Sequence, residues 1–100
     1  MASRIDFIKY VADQLGVAGE TRYKKMFGEY MVYVDNVPAV LVCDNTVYIK
    51  IIEEIQEYMI SSPRGFPYPS AKEHYILDID DKDLIEKVMP LLKEHYLAKK

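Results

Sequence analysis

Residues 22–50 of this 100-residue chain decide the fold and read RYKKMFGEYMVYVDNVPAVLVCDNTVYIK. Aromatic and β-branched residues, which suit a pleated surface, are grouped there into short runs. The polar pairs Asp35-Asn36 and Asp44-Asn45 separate these runs and are typical of tight turns. Short strands joined by such brief turns predict an antiparallel meander. The predicted strands are residues 22–27, 30–34, 38–43 and 46–50.

Helical spacing flanks the meander on both sides. Apolar residues recur at three- and four-residue steps over residues 4–15 and again over 51–60, and each pattern predicts a helix. Residues 75–79 alternate and predict a fifth strand, and Asp80 or Asp81 is expected to cap a last helix. The order helix, four strands, helix, strand, helix indicates an α+β fold in one domain spanning residues 1–100.

Composition excludes several classes of protein. The chain has a net charge of −3 and a pI of about 5.3, whereas duplex-DNA binders are usually strongly basic. Its single cysteine rules out an internal disulfide. The sequence shows neither an apolar signal core nor a membrane-spanning stretch, so a cytoplasmic location is expected.

Both faces of the meander are apolar or aromatic. Tyr30, Val32 and Val34 point to one side of their strand, while Met31 and Tyr33 point to the other. A sheet face exposed to water normally carries polar residues. One face is therefore a candidate binding surface or dimer interface, unless loops or the last helix cover it.

No residue pattern predicts catalysis. Cys43 closes an uncharged run and is interpreted as a buried strand thiol, the alternative being a nucleophile or redox switch. Glu73 and His74 form an adjacent acid–base pair, but neighbours on a strand face opposite ways. His95, near the end of the last helix, is interpreted as a surface residue.

A dense acidic run follows the fifth strand, at Asp78, Asp80, Asp81 and Asp83. Carboxylates in such number are the ligands of a divalent cation site. The glycine and closing glutamate of a calcium loop are missing, so helix capping and a solvated turn are the preferred interpretation. No metal and no cofactor are predicted.

Two segments carry residues suited to recognition. Arg22 and Lys24 are expected on one face of their strand, and Tyr23, Lys25 and Phe27 on the other. Basic residues beside aromatics are typical of single-stranded nucleic-acid binding; the alternative is a sheet edge protected by lysine.

Residues 63–69 form the second segment, a proline-rich loop that is expected to be stiff and functional. Its alternative role is structural, with Phe66 and Tyr68 fastening the loop to the core. The candidate interaction surface comprises Arg22, Tyr23, Lys24, Lys25, Phe27, Tyr30, Tyr33, Arg64, Phe66 and Tyr68.

Three segments together carry a family resemblance: KMFGEY at 25–30, LVCDN with YIK within 41–50, and PYPSAK at 67–72. In this order they resemble the N-terminal domain of the TfoX/Sxy family of competence regulators. The resemblance implies a two-layer domain, similar to the secretion-chaperone-like fold, with helices on one face of an antiparallel sheet. It also implies regulation of DNA-uptake genes, with the cAMP receptor protein as a partner, and it supplies no catalytic residues.

The sequence therefore predicts a non-enzymatic regulatory or protein-interaction domain, a single-domain member of this family. A protein partner is expected, and a homodimer through the sheet or its edge is a further hypothesis. The alternative function is single-stranded nucleic-acid binding through residues 22–27.

Overall fold

The computed structural model describes residues 5–26 and 29–98, which form a two-layer α+β fold. The two α-helices are α1 (Ile5–Leu15) and α2 (Lys82–Ala98). The strands are β1 (Thr21–Met26), β2 (Glu29–Val34), β3 (Val37–Cys43), β4 (Thr46–Lys50), β5 (Arg64–Gly65) and β6 (His74–Ile76). They form one antiparallel sheet in the order β1-β2-β3-β4-β6-β5, which confirms the predicted meander and fold class.

Two tight turns set the register of the central strands. Asp35 and Asn36 have φ of 50° and 66°, and Asp44 and Asn45 have φ of 52° and 57°. Positive φ at both central residues defines the type I′ turn, whose twist matches that of the strands it joins. Asp and Asn adopt this conformation more readily than other side chains, which explains why these pairs follow β2 and β3.

A bulge interrupts the pairing of β2 with β3. Val32 pairs with Val40, but Tyr33 pairs with Pro38, so Ala39 is the extra residue. Ala39 is buried.

The core lies between one face of the sheet and the two helices. It is a single cluster of buried apolar side chains from the sheet, from α1 and α2, and from the segment between β4 and β5. The sheet contributes valine and isoleucine chiefly, and the helices contribute residues at three- and four-residue steps. The fully buried helix residues include Ile8, Val11, Leu15, Ile85, Val88, Met89 and Leu92.

The helix predicted over residues 51–60 was wrong. The segment contains only a short 3-10 helix (Glu53–Ile55) followed by turns, and Ile52 just before it is extended, with φ −129° and ψ 150°. Ile52, Ile55 and Met59 of the predicted apolar stripe are nevertheless buried, whereas Ile60 is 78% exposed. A few turns bring these side chains to the core, and the β-branched isoleucines add little helix propensity.

Strand β5 was not predicted. Arg64 and Gly65 are too few to show a strand pattern, and they pair with Tyr75 and His74 of β6. β6 itself is shorter than the predicted strand at 75–79, although Leu77 still donates its N–H to the Val47 carbonyl at 2.9 Å.

Polar contacts fasten the ends of the two helices. Asp81 caps α2 by accepting the Leu84 N–H at 3.1 Å, as predicted. Gln14 of α1 is buried and donates from Nε2 to the Ile79 carbonyl at 3.0 Å, while Tyr10 donates its hydroxyl to Asp80. Neither α1 nor α2, nor any other helix within the described residues, is long and apolar enough to cross a membrane.

Asp35 joins three parts of the chain. Its carboxylate accepts the Glu20 N–H at 2.8 Å and the Lys93 ammonium at 2.9 Å, and the same ammonium donates to the Ala18 carbonyl at 2.9 Å. The turn after β2, the segment after α1, and α2 are thereby tied together. The hydrogen bond from Lys93, followed by that from Glu20, lowers the pKa of Asp35 below its ordinary value.

The lowered pKa of Asp35 predicts a pH-dependent contribution to stability. A carboxylate with a depressed pKa stabilises the fold above its unfolded pKa, near 3.8, and this stabilisation is lost as the pH falls through the lower folded pKa. Asp35→Asn tolerates the same positive φ but removes the charge. We expect the variant to unfold more easily than wild type at neutral pH, and the difference to shrink below about pH 4.

Urea unfolding of both proteins at several pH values measures this difference. Glu86→Gln, which removes the same charge from an exposed position on α2, is the control and should show no such convergence. A wild-type advantage over Asp35→Asn that stays constant through the acidic range would contradict the prediction.

Candidate functional site

One face of the sheet, which we call the open face, lies opposite the face on which α1 and α2 pack, and Tyr96 near the end of α2 reaches its rim beside Lys50. Its apolar side chains are half-buried, whereas Val32 and Val34 on the opposite face are fully buried. The strand registers place together on the open face Arg22, Lys24, Met26, Glu29, Met31, Tyr33, Pro38, Leu41, Cys43, Thr46, Tyr48, Lys50, His74 and Ile76.

A groove crosses the open face. Met26, Glu29, Met31, Leu41 and Tyr68 line a cavity of about 480 Å³, whose walls are mostly apolar. A smaller cavity of about 170 Å³ shares Met31, Leu41 and Tyr68 with it and is also lined by Tyr48, His74 and Tyr96. Apolar walls with a few polar groups at the rim are the usual composition of a binding site. We call the two connected cavities the groove.

The proline-rich loop forms one wall of the groove through Tyr68, which is 43% exposed. Gly65 brings the start of this loop close to the sheet, because a Cβ there would lie 3.3 Å from both Tyr48 and Ile76. Phe66 is 58% exposed, and Pro67 is the buried residue between them. The alternative that Phe66 and Tyr68 fasten the loop to the core was therefore wrong.

The open face is cationic although the chain is acidic. Arg22, Lys24 and Lys50 lie on it, and Glu29 is its only carboxylate among the described residues. The Arg22 guanidinium stacks over the Tyr33 ring at 4.7 Å and donates from Nε to Asn36 at 3.2 Å. A surface that joins apolar walls to positive charge suits an acidic partner better than a basic one.

Cys43 lies on the open face and is partly exposed, so its interpretation as a core thiol was wrong. The uncharged run 38–43 suggested a buried position for Cys43. The end of β3 leaves the core at this residue, however. Burial, together with the neighbouring Glu29 carboxylate, raises the pKa of this thiol. A raised pKa keeps the sulfur protonated and makes it a poor nucleophile.

The two histidines are engaged separately. Nδ1 of His74 lies 2.8 Å from the Lys72 carbonyl, while the neighbouring Glu73 pairs with Arg64 at 3.7 Å, so Glu73 and His74 do not act as a pair. His95 was predicted on the surface, but its side chain is only 13% exposed. Its Nδ1 lies 2.7 Å from Glu54, which ties the end of α2 to the 3-10 helix.

The acidic run serves the helix and its preceding turn. Asp78 accepts the Asp80 N–H at 3.1 Å, Asp80 accepts the Tyr10 hydroxyl, and Asp81 caps α2. The hydrogen bond to Asp80 is the main cause that raises the pKa of Tyr10. Within residues 5–26 and 29–98, no group of histidine, cysteine or acidic side chains has the arrangement of a metal site.

The residues of the predicted interaction surface divide between the two faces of the sheet. Arg22, Lys24 and Tyr33 lie on the open face, and Tyr68 reaches over it. Residues on the helix side are Tyr23, Lys25, Tyr30 and Arg64, with Tyr23 and Tyr30 in edge contact at 6.2 Å and Arg64 over the Tyr75 ring. Phe66 is exposed on the loop, and Phe27 lies outside the described residues.

Sequence reasoning missed the residues that line the groove. Met26, Leu41 and Tyr48 were each assigned to a strand but not to a site. Alternation within 38–43 and 46–50 was the available signal, because every second residue of these strands faces away from the core.

A larger cavity, of about 680 Å³, lies between residues 50–54 and His95. His95 and Glu54 in its lining already pair with each other, and its lining is less apolar than that of the groove. The groove on the open face is therefore the better candidate, although it is smaller.

The fold and the groove define a class: a small α+β domain with a largely apolar groove on one face of its sheet. The chain belongs to the TfoX N-terminal domain family, whose model matches residues 13–87, from within α1 into α2. It is 33% identical over 87 residues to an uncharacterized 12.7 kDa protein encoded in the trpE 5′ region of Spirochaeta aurantia. That alignment spans 87% of this chain and 72% of the relative.

Proposed function

We propose that this chain is a non-enzymatic regulatory domain that binds an acidic surface of another protein through the open face. The groove lined by Met31, Leu41 and Tyr68 carries the proposal, because its apolar walls lie on the same sheet face as Arg22, Lys24 and Lys50. An apolar anchor in a groove supplies affinity, and complementary charge around it supplies selectivity.

Binding is proposed rather than catalysis because the cysteine, the acidic run and His74 lack the arrangement that activates a reactive group. The Cys43 thiol has a raised pKa, the aspartates cap or turn the chain, and His74 stands apart from Glu73. Catalysis by such groups needs a nucleophile or base held within hydrogen-bond reach of its activating partner.

The regulatory part of the proposal comes from the family. TfoX/Sxy regulators act on genes for DNA uptake, and the cAMP receptor protein is the partner that this resemblance implies. We therefore propose that protein, purified from the same cells, as the first partner to test.

Removing the Tyr68 ring is expected to weaken partner binding about tenfold, a loss near 1.4 kcal/mol that is typical of a groove-lining aromatic. Isothermal calorimetry with the cAMP receptor protein measures the dissociation constants of wild type and Tyr68→Ala. Tyr58→Ala is a matched control, because Tyr58 is 41% exposed and lines neither cavity of the groove. Equal losses from the two variants would contradict the site, and no binding by wild type would contradict this partner.

A second copy of the chain is the other proposed occupant of the open face. Sedimentation velocity at micromolar concentration distinguishes the two. A dimer that Tyr68→Ala dissociates would assign the groove to self-association, whereas a monomer leaves it to a different protein.

A further inference from the structure

Strand β1 forms one edge of the sheet and lies beside the groove. It is six residues long, and every residue after Thr21 is exposed. No strand within the described residues pairs with its outer side. Such an edge presents backbone donors and acceptors that can pair with another extended chain.

The register shows which backbone groups of β1 are free to pair. The Glu20 carbonyl accepts the Asp35 N–H at 2.7 Å, so Glu20 turns its backbone toward β2. Backbone direction alternates along a strand of an antiparallel pair. Thr21, Tyr23 and Lys25 therefore direct their N–H and C=O groups outward.

Charge selects the kind of chain that can pair there. Arg22, Lys24 and Lys25 give β1 three positive charges and no negative one, on a chain of net charge −3. Neither lysine forms an ion pair within the described part of the chain. Two copies pairing through β1 would oppose like charges, whereas an acidic segment would oppose unlike ones.

The groove adjoins this edge directly. Met26 belongs both to β1 and to the wall of the groove, and it faces the same side as Lys24. A side chain of an added strand that points to the open face near Met26 would enter the apolar cavity. Edge and groove are thus parts of one surface.

We propose that β1 binds an extended acidic peptide segment as an additional strand, with one apolar side chain of that segment in the groove. The inference rests on the proposed function and names the chemistry and conformation of its partner. Backbone pairing at Thr21, Tyr23 and Lys25 supplies affinity, and the basic side chains supply selectivity.

Selection from an unbiased library of short displayed peptides tests the chemistry of the partner. We expect the selected peptides to be enriched in Asp and Glu and to share one apolar residue. Their affinity should fall as salt is raised, because the charges lie at the surface. Enrichment in basic residues, or no preference for charge, would overturn the inference.

Charge reversal on β1 tests whether the selected peptide binds at this strand. Lys24→Glu combined with Lys25→Glu should weaken binding about tenfold or more, measured by fluorescence anisotropy. Lys82→Glu combined with Lys87→Glu makes the same change of charge at exposed positions of α2 and should leave the affinity within about twofold.

Backbone pairing has its own test. Tyr23→Pro removes an outward N–H and should weaken peptide binding beyond Tyr23→Ala, which removes only the ring. Peptides N-methylated at alternate positions make the same comparison on unaltered protein, and one of the two methylation patterns should abolish binding. Equal binding of both methylated peptides and the parent would overturn strand addition.

The outcomes separate this inference from the proposed function. Peptide binding that survives charge reversal and N-methylation but is lost in Tyr68→Ala would overturn the inference and support the groove as a protein-binding site. A labelled single-stranded oligothymidine tests the nucleic-acid alternative. If it binds more tightly than the selected peptide and charge reversal abolishes its binding, nucleic-acid binding would replace both the inference and the proposed function.

Discussion

Replacing Gly19 with alanine is expected to lower the free energy of unfolding by at least about 2 kcal/mol. Gly19 has φ 155° and ψ −168°, a conformation that residues with a Cβ rarely adopt. The new Cβ would also lie 2.7 Å from the carboxyl carbon of Asp35, and nearer still to Oδ2. That carboxylate is held by Lys93 and by the Glu20 N–H, so it has little freedom to withdraw.

Urea unfolding followed by circular dichroism measures this loss, and Gly16→Ala is the matched control. Gly16 lies in the same connection after α1, but no atom approaches its Cβ position within 4 Å. Its replacement should leave stability unchanged or raise it by up to about 1 kcal/mol. Similar stabilities for the two variants would contradict the argument for Gly19.

The variant Gly19→Ala with Asp35→Ala separates the two causes. It removes the contact with the carboxylate but keeps the unfavourable backbone conformation. If Gly19→Ala lowers the free energy of unfolding as much in the Asp35→Ala background as in wild type, the backbone conformation accounts for the whole effect. If the loss is smaller in that background, the difference measures the contact with the carboxylate.

Truncating Ile55 to alanine is expected to cost about 3 kcal/mol, within the usual range for a fully buried isoleucine. Ile55 lies in the 3-10 helix between β4 and β5 and has no exposed surface. The cavity left behind would face the core cluster, where α2 packs against this segment. The expected loss would show that a connection without regular helix contributes to the core as a helix does.

Ile60→Ala provides the comparison within the same segment. Ile60 is 78% exposed, so its truncation should change the free energy of unfolding by less than about 0.5 kcal/mol. Equal effects of the two truncations, measured by the same urea titration, would show that residues 51–60 do not pack on the sheet as described.

The meander could be predicted because its signals are local. The aromatic and β-branched content of β2 and the Asp-Asn pairs after β2 and β3 each act within a few residues, and both the strand and the turns appear in the structure as expected. The cap at Asp81 was predicted for the same reason, since a capping side chain contacts its own helix.

The errors arose where tertiary contacts outweigh local pattern. Ile52, Ile55 and Met59 are spaced as in a helix, but the chain satisfies that spacing with turns. The groove depends on the loop placing Tyr68 over Met31, and no spacing within the sequence shows that distant contact. The apolar residues on both sides of β2 indicated that one sheet face could bind a partner, but they showed neither which face it is nor what walls it has.

The sheet order also bears on how the chain folds. β1, β2, β3 and β4 are neighbours in both sequence and space, so three hairpins can form with only short loops to close. Joining β6 to β4 requires residues 51–73 to close as one long loop, at a greater entropic cost. The sheet can therefore be assembled from its β1 side before β5, β6 and α2 complete the core. The edge beside the groove thus belongs to the part of the molecule that can form with the fewest contacts between residues distant in sequence.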